Sequence, residues 1–371
     1  MRRLSILLVA LVCTLPTILL GQDAAPQIEL VTPWSDEQLT VEQLEHVAAV
    51  LHAKSDRERA RELNGRHLTQ RLRAARFERL NLELPGKETR EALLAIADEA
   101  AFLELPAADL LDLPAPNRAA QGRMVSRAVA FVATTVSRMP DFMATRTTTR
   151  FQDAYVMRSI EKHVIAVEGF QFVDRHEVTA VYREGQEVDQ GLTATTPEEK
   201  INKKPGLHSW GEFGPLLGVV VADILKDKIS WSHWEQTIVG PAAVFQFAVE
   251  ADKSSYIVHY CCVLKGGRSS EFTSTPAYHG EIALEPATGA VLRIVLKTDL
   301  SPDDVDLRRA DLAVDYKRID IGGRSYILPT RSISLSKTPT VVAINDVVFD
   351  HYHQFRGEMR IVPSDGTDQP Q

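Results

Sequence analysis

The sequence predicts an α+β protein: an N-terminal helical region, then a long antiparallel sheet curved into a half-barrel with helices on its concave side. Three observations predict it. Capping boxes and apolar residues at helical spacing fill residues 34–105. From Phe142 onward the pattern changes to β-branched and aromatic alternation. One dense apolar stretch, 207–228, interrupts those strands.

The first 21 residues form a positive start, Met1-Arg2-Arg3, an uncharged apolar run from Leu4 to Leu20, and a small Gly21. This is the pattern of a secretory signal, with a run short for a bilayer span and interrupted by Pro16. Residues 1–21 are therefore expected to direct export to the periplasm or cell envelope. Val12 before Cys13 disfavours lipoprotein processing there.

The helical region comes next. Thr40-Val41-Glu42-Gln43 is a capping box ahead of Leu44, Val47, Val50 and Leu51. Ser55-Asp56-Arg57-Glu58 is a second, ending near Gly65. Leu68, Leu72, Phe77 and Leu80 mark a third helix, stopped by Pro85-Gly86, and Glu88–Leu103 a fourth. Arg71, Arg73, Arg76 and Arg79 read as a solvated basic face. Residues 106–118 hold three prolines and read as a linker.

The half-barrel is expected over 119–362. Gln121–Met139 forms a helix ended by Pro140, and Thr145–Arg150, Tyr155–Val167, Gln171–Arg183, Val244–Ala251 and Tyr256–Leu264 read as strands. So do Tyr278–Leu284, Val291–Leu296, Leu312–Ile321, Tyr326–Leu335 and Val341–Phe355. Glu184-Gly185-Gln186, Glu285–Gly289 and Gly322-Gly323 punctuate them as turns. In Val291–Lys297, Leu292, Ile294 and Leu296 face one way and Arg293 and Lys297 the other. The tail 363–371 is polar and expected to be disordered.

Composition narrows the function. The chain has 371 residues and a net charge of −8, which becomes −10 without residues 1–21. Such acidity disfavours nucleic acid, because phosphate contacts need clustered Lys and Arg. Cys261 and Cys262 read as small core residues, since neighbours on a strand point to opposite faces and a disulfide between them is improbable.

Catalytic signatures are lacking: no nucleophile elbow, phosphate-binding glycine loop or dinucleotide fingerprint occurs. His176-Glu177 lacks the second histidine of a zinc-protease motif. His351 and His353, two apart on a strand, form the best metal pair, with His259 or His279 as a third ligand. Phe349 and Phe355 on that same face favour packing over ligation, so no metal or other cofactor is expected. His259 beside Cys261 lacks an orienting third group, so thiol catalysis is not expected. Trp210, Trp231 and Trp234 flank the inserted helix, where tryptophan serves equally as core anchor or cavity wall.

The element order of 119–362 resembles the periplasmic lipoprotein-carrier superfamily, which includes the lipoprotein localisation factors. The Glu285–Ile294 and Ile321–Pro329 hairpins carry that likeness. Ser55–Thr69, Glu83–Gly86, Ala144–Phe151 and Asn345–Arg356 resemble a group of exported acidobacterial proteins with no activity to carry over. The carrier likeness implies a half-open sheet whose concave face holds acyl chains.

The expected function is thus non-catalytic binding of a lipid or of lipoprotein acyl chains. Phe213, Leu216, Leu217, Val220, Trp231 and Trp234 are expected to line the cavity. The alternative is an envelope scaffold whose 34–105 helices contact a partner protein. A hydrolase or metal enzyme using His351 and His353 ranks third.

Overall fold

The computed structural model describes residues 37–354, apart from 155, 161–162, 168, 189–205, 208–211, 266–267 and 302–305. The expected signal (1–21), the tail (363–371) and Trp210 lie outside the described residues. Six α-helices and a large antiparallel sheet make the chain an α+β protein among those residues.

Four helices come first. After β1 (Glu37–Leu39), α1 spans Val41–Leu51 and α2 spans Asp56–Leu63. Both capping boxes form: Thr40 exchanges bonds with Gln43, and Ser55 with Glu58. β2 (Arg66–Leu68) then pairs in parallel with β1. This differs from expectation: Leu68 closes a short strand, and α3 starts only at Ala74, running to Glu83. α4 covers Lys87–Glu99. Val41, Leu44, Leu63, Leu80, Leu84 and Leu93 are fully enclosed in a core shared by these four helices.

The segment 106–117 is more than a linker. Leu110 bridges to Glu235, Leu111 N–H donates to the Trp234 carbonyl at 3.3 Å, and Trp234 Nε1 donates to the Pro114 carbonyl at 3.0 Å. Its prolines cannot donate to a ladder, which suits an outer position against a sheet edge. α5 (Arg118–Ser137) follows, capped by Asn117.

Strands then take over. β3 is Phe142–Ala154, β4 Val156–Ile160, β5 His163–Val167, β6 Gln171–Arg183, β7 Gln186–Val188 and β8 Gly206–Leu207. α6 spans Pro215–Ile224. β9 is Lys228–Thr237, β10 Gly240–Val249, β11 Val258–Lys265, β12 Arg268–Ser274 and β13 Tyr278–Leu284. β14 is Val291–Thr298, β15 Arg309–Ile321, β16 Arg324–Lys337 and β17 Val341–Gln354. The stretch expected as one strand over 155–167 is a hairpin, β4 with β5. The window 207–228 holds a strand end and the start of β9 as well as the ten-residue α6.

The main sheet has ten strands in the order β7-β6-β3-β17-β16-β15-β14-β13-β10-β9 and does not close into a barrel. A second sheet, β12-β11-β8, contributes Leu207, Val258 and Tyr260 to a core with Ala310 of β15. The Gly322-Gly323 turn joins β15 to β16 with both residues at positive φ, as a type I′ hairpin requires. Gly289 has φ +80, and a Cβ there would lie 2.4 Å from the Arg127 backbone, so α5 crosses this turn only because it is glycine.

Both faces of the central strands are covered. On one face, α5 and α6 bury Ala128, Val132, Leu217 and Val220 against Phe245, Ile282, Ile294 and Val314. On the other, Ala95 of α4, with Ala101 and Phe102 after it, packs on Val295, Ala313, Ile333 and Ile344. Period-two alternation separates Ile294 from Val295 and Ala313 from Val314. A register shift opposite Leu284 interrupts it at Leu292, which leaves the Ile294 side and packs with Ala242, Val244 and Ala283. That corrects the expected Leu292, Ile294 and Leu296 face.

The expected solvated face of arginines is corrected in part: Arg71, Arg73 and Arg76 are engaged in contacts, whereas Arg79 stays half exposed. Arg71 is 3% exposed and donates to Glu235 of β9 at 2.7 Å. Arg73 donates to the Gln236 carbonyl, and Arg76 pairs with Asp109 and Glu45. Burial alone would raise the Glu235 carboxyl, but Arg71 and Arg293 beside it hold it below the usual range. A second tie joins α4 to the sheet: Arg331 reaches Asp98 at 2.5 Å and Asp346 at 2.7 Å. Burial, with Asp346 beside it, pushes the Asp98 carboxyl up, while the two carboxylates outweigh burial and keep Arg331 charged.

Candidate ligand-binding face

The candidate site is the sheet face under α6. Pro215 occupies the first position of that helix, where its missing N–H costs nothing. Leu216–Val221 is rich in β-branched residues, a modest helix sequence that burial on the sheet makes favourable. Leu216, Leu217, Val220, Val221 and Ile224 are buried, each contributing about 2 kcal/mol of transfer free energy.

One buried carboxylate pins the far end of α6. Asp223 accepts from Ser255 N–H at 2.6 Å, Ser255 Oγ at 2.9 Å, Lys226 Nζ at 3.0 Å and the Tyr278 hydroxyl at 3.1 Å. Burial would raise its pKa, but these donors hold the carboxyl below the ordinary value.

The six expected cavity residues occupy three places. Leu216, Leu217 and Val220 pack under α6 in the apolar core with Phe245, Ile294 and Val314. Phe213 turns to an aromatic group at the other end, with ring centroids 5.1 Å from Phe349 and 5.3 Å from Phe142. Tyr182 and Tyr352 complete that group. Trp231 and Trp234 sit on β9, a strand that sequence reasoning missed. Three residues apart, they would point to opposite faces of a regular strand. A bulge between them restores a common face, and their rings meet at 5.0 Å. All six side chains are packed against the protein's own residues.

The histidine pair does not assemble. A second bulge falls at His351 and Tyr352, and His351 takes a positive φ. Tyr352 turns inward to Phe142 and Phe213, whereas His351 is 78% exposed and bonds Asp350. His259 is engaged with Thr273 and His279 with Asp299. No group of three metal-ligating side chains occurs among the described residues.

Cys261 corrects a further expectation: it is buried and disulfide-bonded. The β11–β12 register shifts between Tyr260 and Val263, so this stretch departs from the regular strand geometry on which the expectation rested. The chain's other cysteines, Cys13 and Cys262, have side chains outside the described set.

Sequence reasoning also missed a polar half of the same face. Ser332, Ser334 and Ser336 of β16 are only 1–3% exposed. Asn345 of β17 donates to Ser334 Oγ and to the Leu207 carbonyl, both at 3.3 Å. Arg150 of β3, the cross-strand partner of Asn345, stands 3.8 Å from Asp174 of β6. Glu212, just before α6, is completely buried above Ser332. The Ser-x-Ser-x-Ser alternation was visible in the sequence; an alternating polar face reads there as solvent-facing.

Among the described residues, no helix is long and apolar enough to cross a membrane. No known protein family, curated protein or solved structure gives a significant match to the chain, so residues and geometry alone carry the functional argument.

Proposed function

We propose that this is a non-catalytic exported protein of the cell envelope that binds a lipid, or the acyl chains of a lipoprotein, between α6 and the sheet. In this reading the sheet bends into a half-barrel in the manner of the lipoprotein carriers. α5 and α6 lie on its concave side, and the 34–105 helices form a module on the outside. Nucleic acid, metal and cofactor have no part in it.

The observation that carries the reading is α6 itself. It is a ten-residue segment with five buried apolar side chains, fixed to its surroundings by one polar anchor, Asp223. Beneath it lies a surface of Phe245, Phe247, Ile282, Ile294, Leu296 and Val314, too large and apolar to face water. The helix acts as a plug that an acyl chain displaces, exchanging one apolar contact for another at small net cost. The test is extraction of protein purified from its native host, with mass spectrometry of the extract. Acyl-bearing molecules approaching one per protein are expected; a clean extract overturns the reading.

A second reading, an interaction scaffold, is favoured by two bare apolar side chains on the helices. Val50 and Leu82 are 74% and 80% exposed. If a partner protein docks there, Val50→Glu with Leu82→Glu in the full chain abolishes its co-purification and leaves bound lipid unchanged.

A further inference from the structure

Glu212 has no donor adequate to its burial. Its Oε1 lies 3.4 Å from Ser332 Oγ, a long contact, and its Oε2 has no partner. Among the described residues no Lys or Arg pairs with it. The Tyr316 hydroxyl is also buried and also without a partner, and Tyr316 stands two residues along β15 from Val314, the cross-strand partner of Ser332. Burial, and then the Glu212 charge, lift the Tyr316 pKa, so this phenol stays neutral. The nearby Tyr352 hydroxyl is already committed to the Pro329 carbonyl. A buried carboxylate left in this state is costly, and ordinary folds satisfy such groups.

The position matters as much as the deficit. Glu212 lies at the boundary between the two halves of the face. Ser332 is beneath it, and Leu216 and Leu217 begin the apolar core four residues further along the chain. Tyr316 belongs to that apolar core, yet its hydroxyl has no hydrogen-bond partner there. A molecule lying along the face would therefore meet a carboxylate at one end and hydrocarbon along the rest.

Resting on the binding reading above, we infer that the ligand is an amphiphile with an amine head group, whose ammonium is held by Glu212 and Tyr316 and whose chain runs under α6. An ammonium brings three donors and the opposite charge, so it satisfies Oε2 and the phenol oxygen together. A carboxylate head would place two anions side by side in a dry site, and a plain alcohol would supply one donor without charge.

The test uses the full mature chain with hexadecylamine, hexadecanol, hexadecanoic acid and butylamine, followed by native mass spectrometry and tryptophan fluorescence. Hexadecylamine is expected to bind at a concentration about tenfold lower than hexadecanoic acid, the scale of one charge-assisted contact. Butylamine, which lacks a chain, is expected not to compete. Glu212→Gln should bring amine and acid to within about threefold, and Tyr316→Phe should weaken the amine while leaving the acid unchanged. Acid binding as tightly as amine, or a preference that survives Glu212→Gln, overturns the inference and leaves an internal water as the partner of Glu212. Butylamine matching hexadecylamine overturns the amphiphile. If none of the sixteen-carbon compounds binds, the binding reading itself fails first.

Discussion

Strands β13–β15 and strands β16, β17 and β3 belong to one sheet face, yet they fill it with opposite chemistry. The first group presents Ile282, Ile294, Leu296, Leu312 and Val314. The second presents Ser332, Ser334, Asn345 and Arg150. Burial on the apolar side is non-directional and scales with area. Burial on the polar side depends on each donor meeting its acceptor, and there Glu212 is left short. The difference separates two ways of filling a buried face: the apolar half is stabilised by area alone, the polar half by individually matched hydrogen bonds.

The largest effect that tests this contrast is Leu217→Ala. Leu217 is fully buried in the apolar half, so its truncation should cost about 2–5 kcal/mol, read from denaturant unfolding. A loss under about 1 kcal/mol would mean that α6 is only loosely seated and that the apolar half is no core.

Asp223 comes next. Asp223→Asn removes the charge that four donors converge on, and should cost about 2–3 kcal/mol at neutral pH. Its carboxyl is held below the ordinary value, so its contribution is in place above that value and is lost as pH falls through the lower folded value. Wild type should therefore lose stability on acidification faster than Asp223→Asn, and the two should converge in acid. Parallel pH profiles would remove Asp223 as the anchor.

The polar half should respond more weakly and, at one position, with the reverse sign. Ser334→Ala breaks a single bond from Asn345 and should cost about 1 kcal/mol. Glu212→Gln removes a buried charge lacking adequate partners, so thermal unfolding should show an unchanged or higher midpoint. A clear fall would show Glu212 to be part of the folding framework, and would erase the contrast between the two halves.

Much of the architecture was legible in the chain. The Thr40 and Ser55 capping boxes, the Gly322-Gly323 turn and strands such as 171–183 and 278–284 follow from local chemistry, because each depends on neighbours within a few residues. Of the site, the apolar residues of α6 were legible, since a run such as Leu216–Val221 must be buried somewhere. Glu212, Ser332 and Asn345 were not. A polar residue on an alternating strand looks alike whether water or a second layer covers it.

Tertiary structure decided the rest, for two physical reasons. The first is parity: one extra residue in a strand reverses every side chain beyond it. Bulges therefore put Trp231 and Trp234 on one face, turned His351 outward and brought Tyr352 in. The second is distance along the chain. Arg71 pairs with Glu235 and Asp98 with Arg331 across long stretches of chain, so Arg71 and Arg73, which look solvated in the sequence, tie the helices to the sheet. Sequence by itself determined which segments are helix or strand and which must be buried; the sheet determined which face each side chain meets, because strand register and long-range charge pairing are properties of the assembled layers.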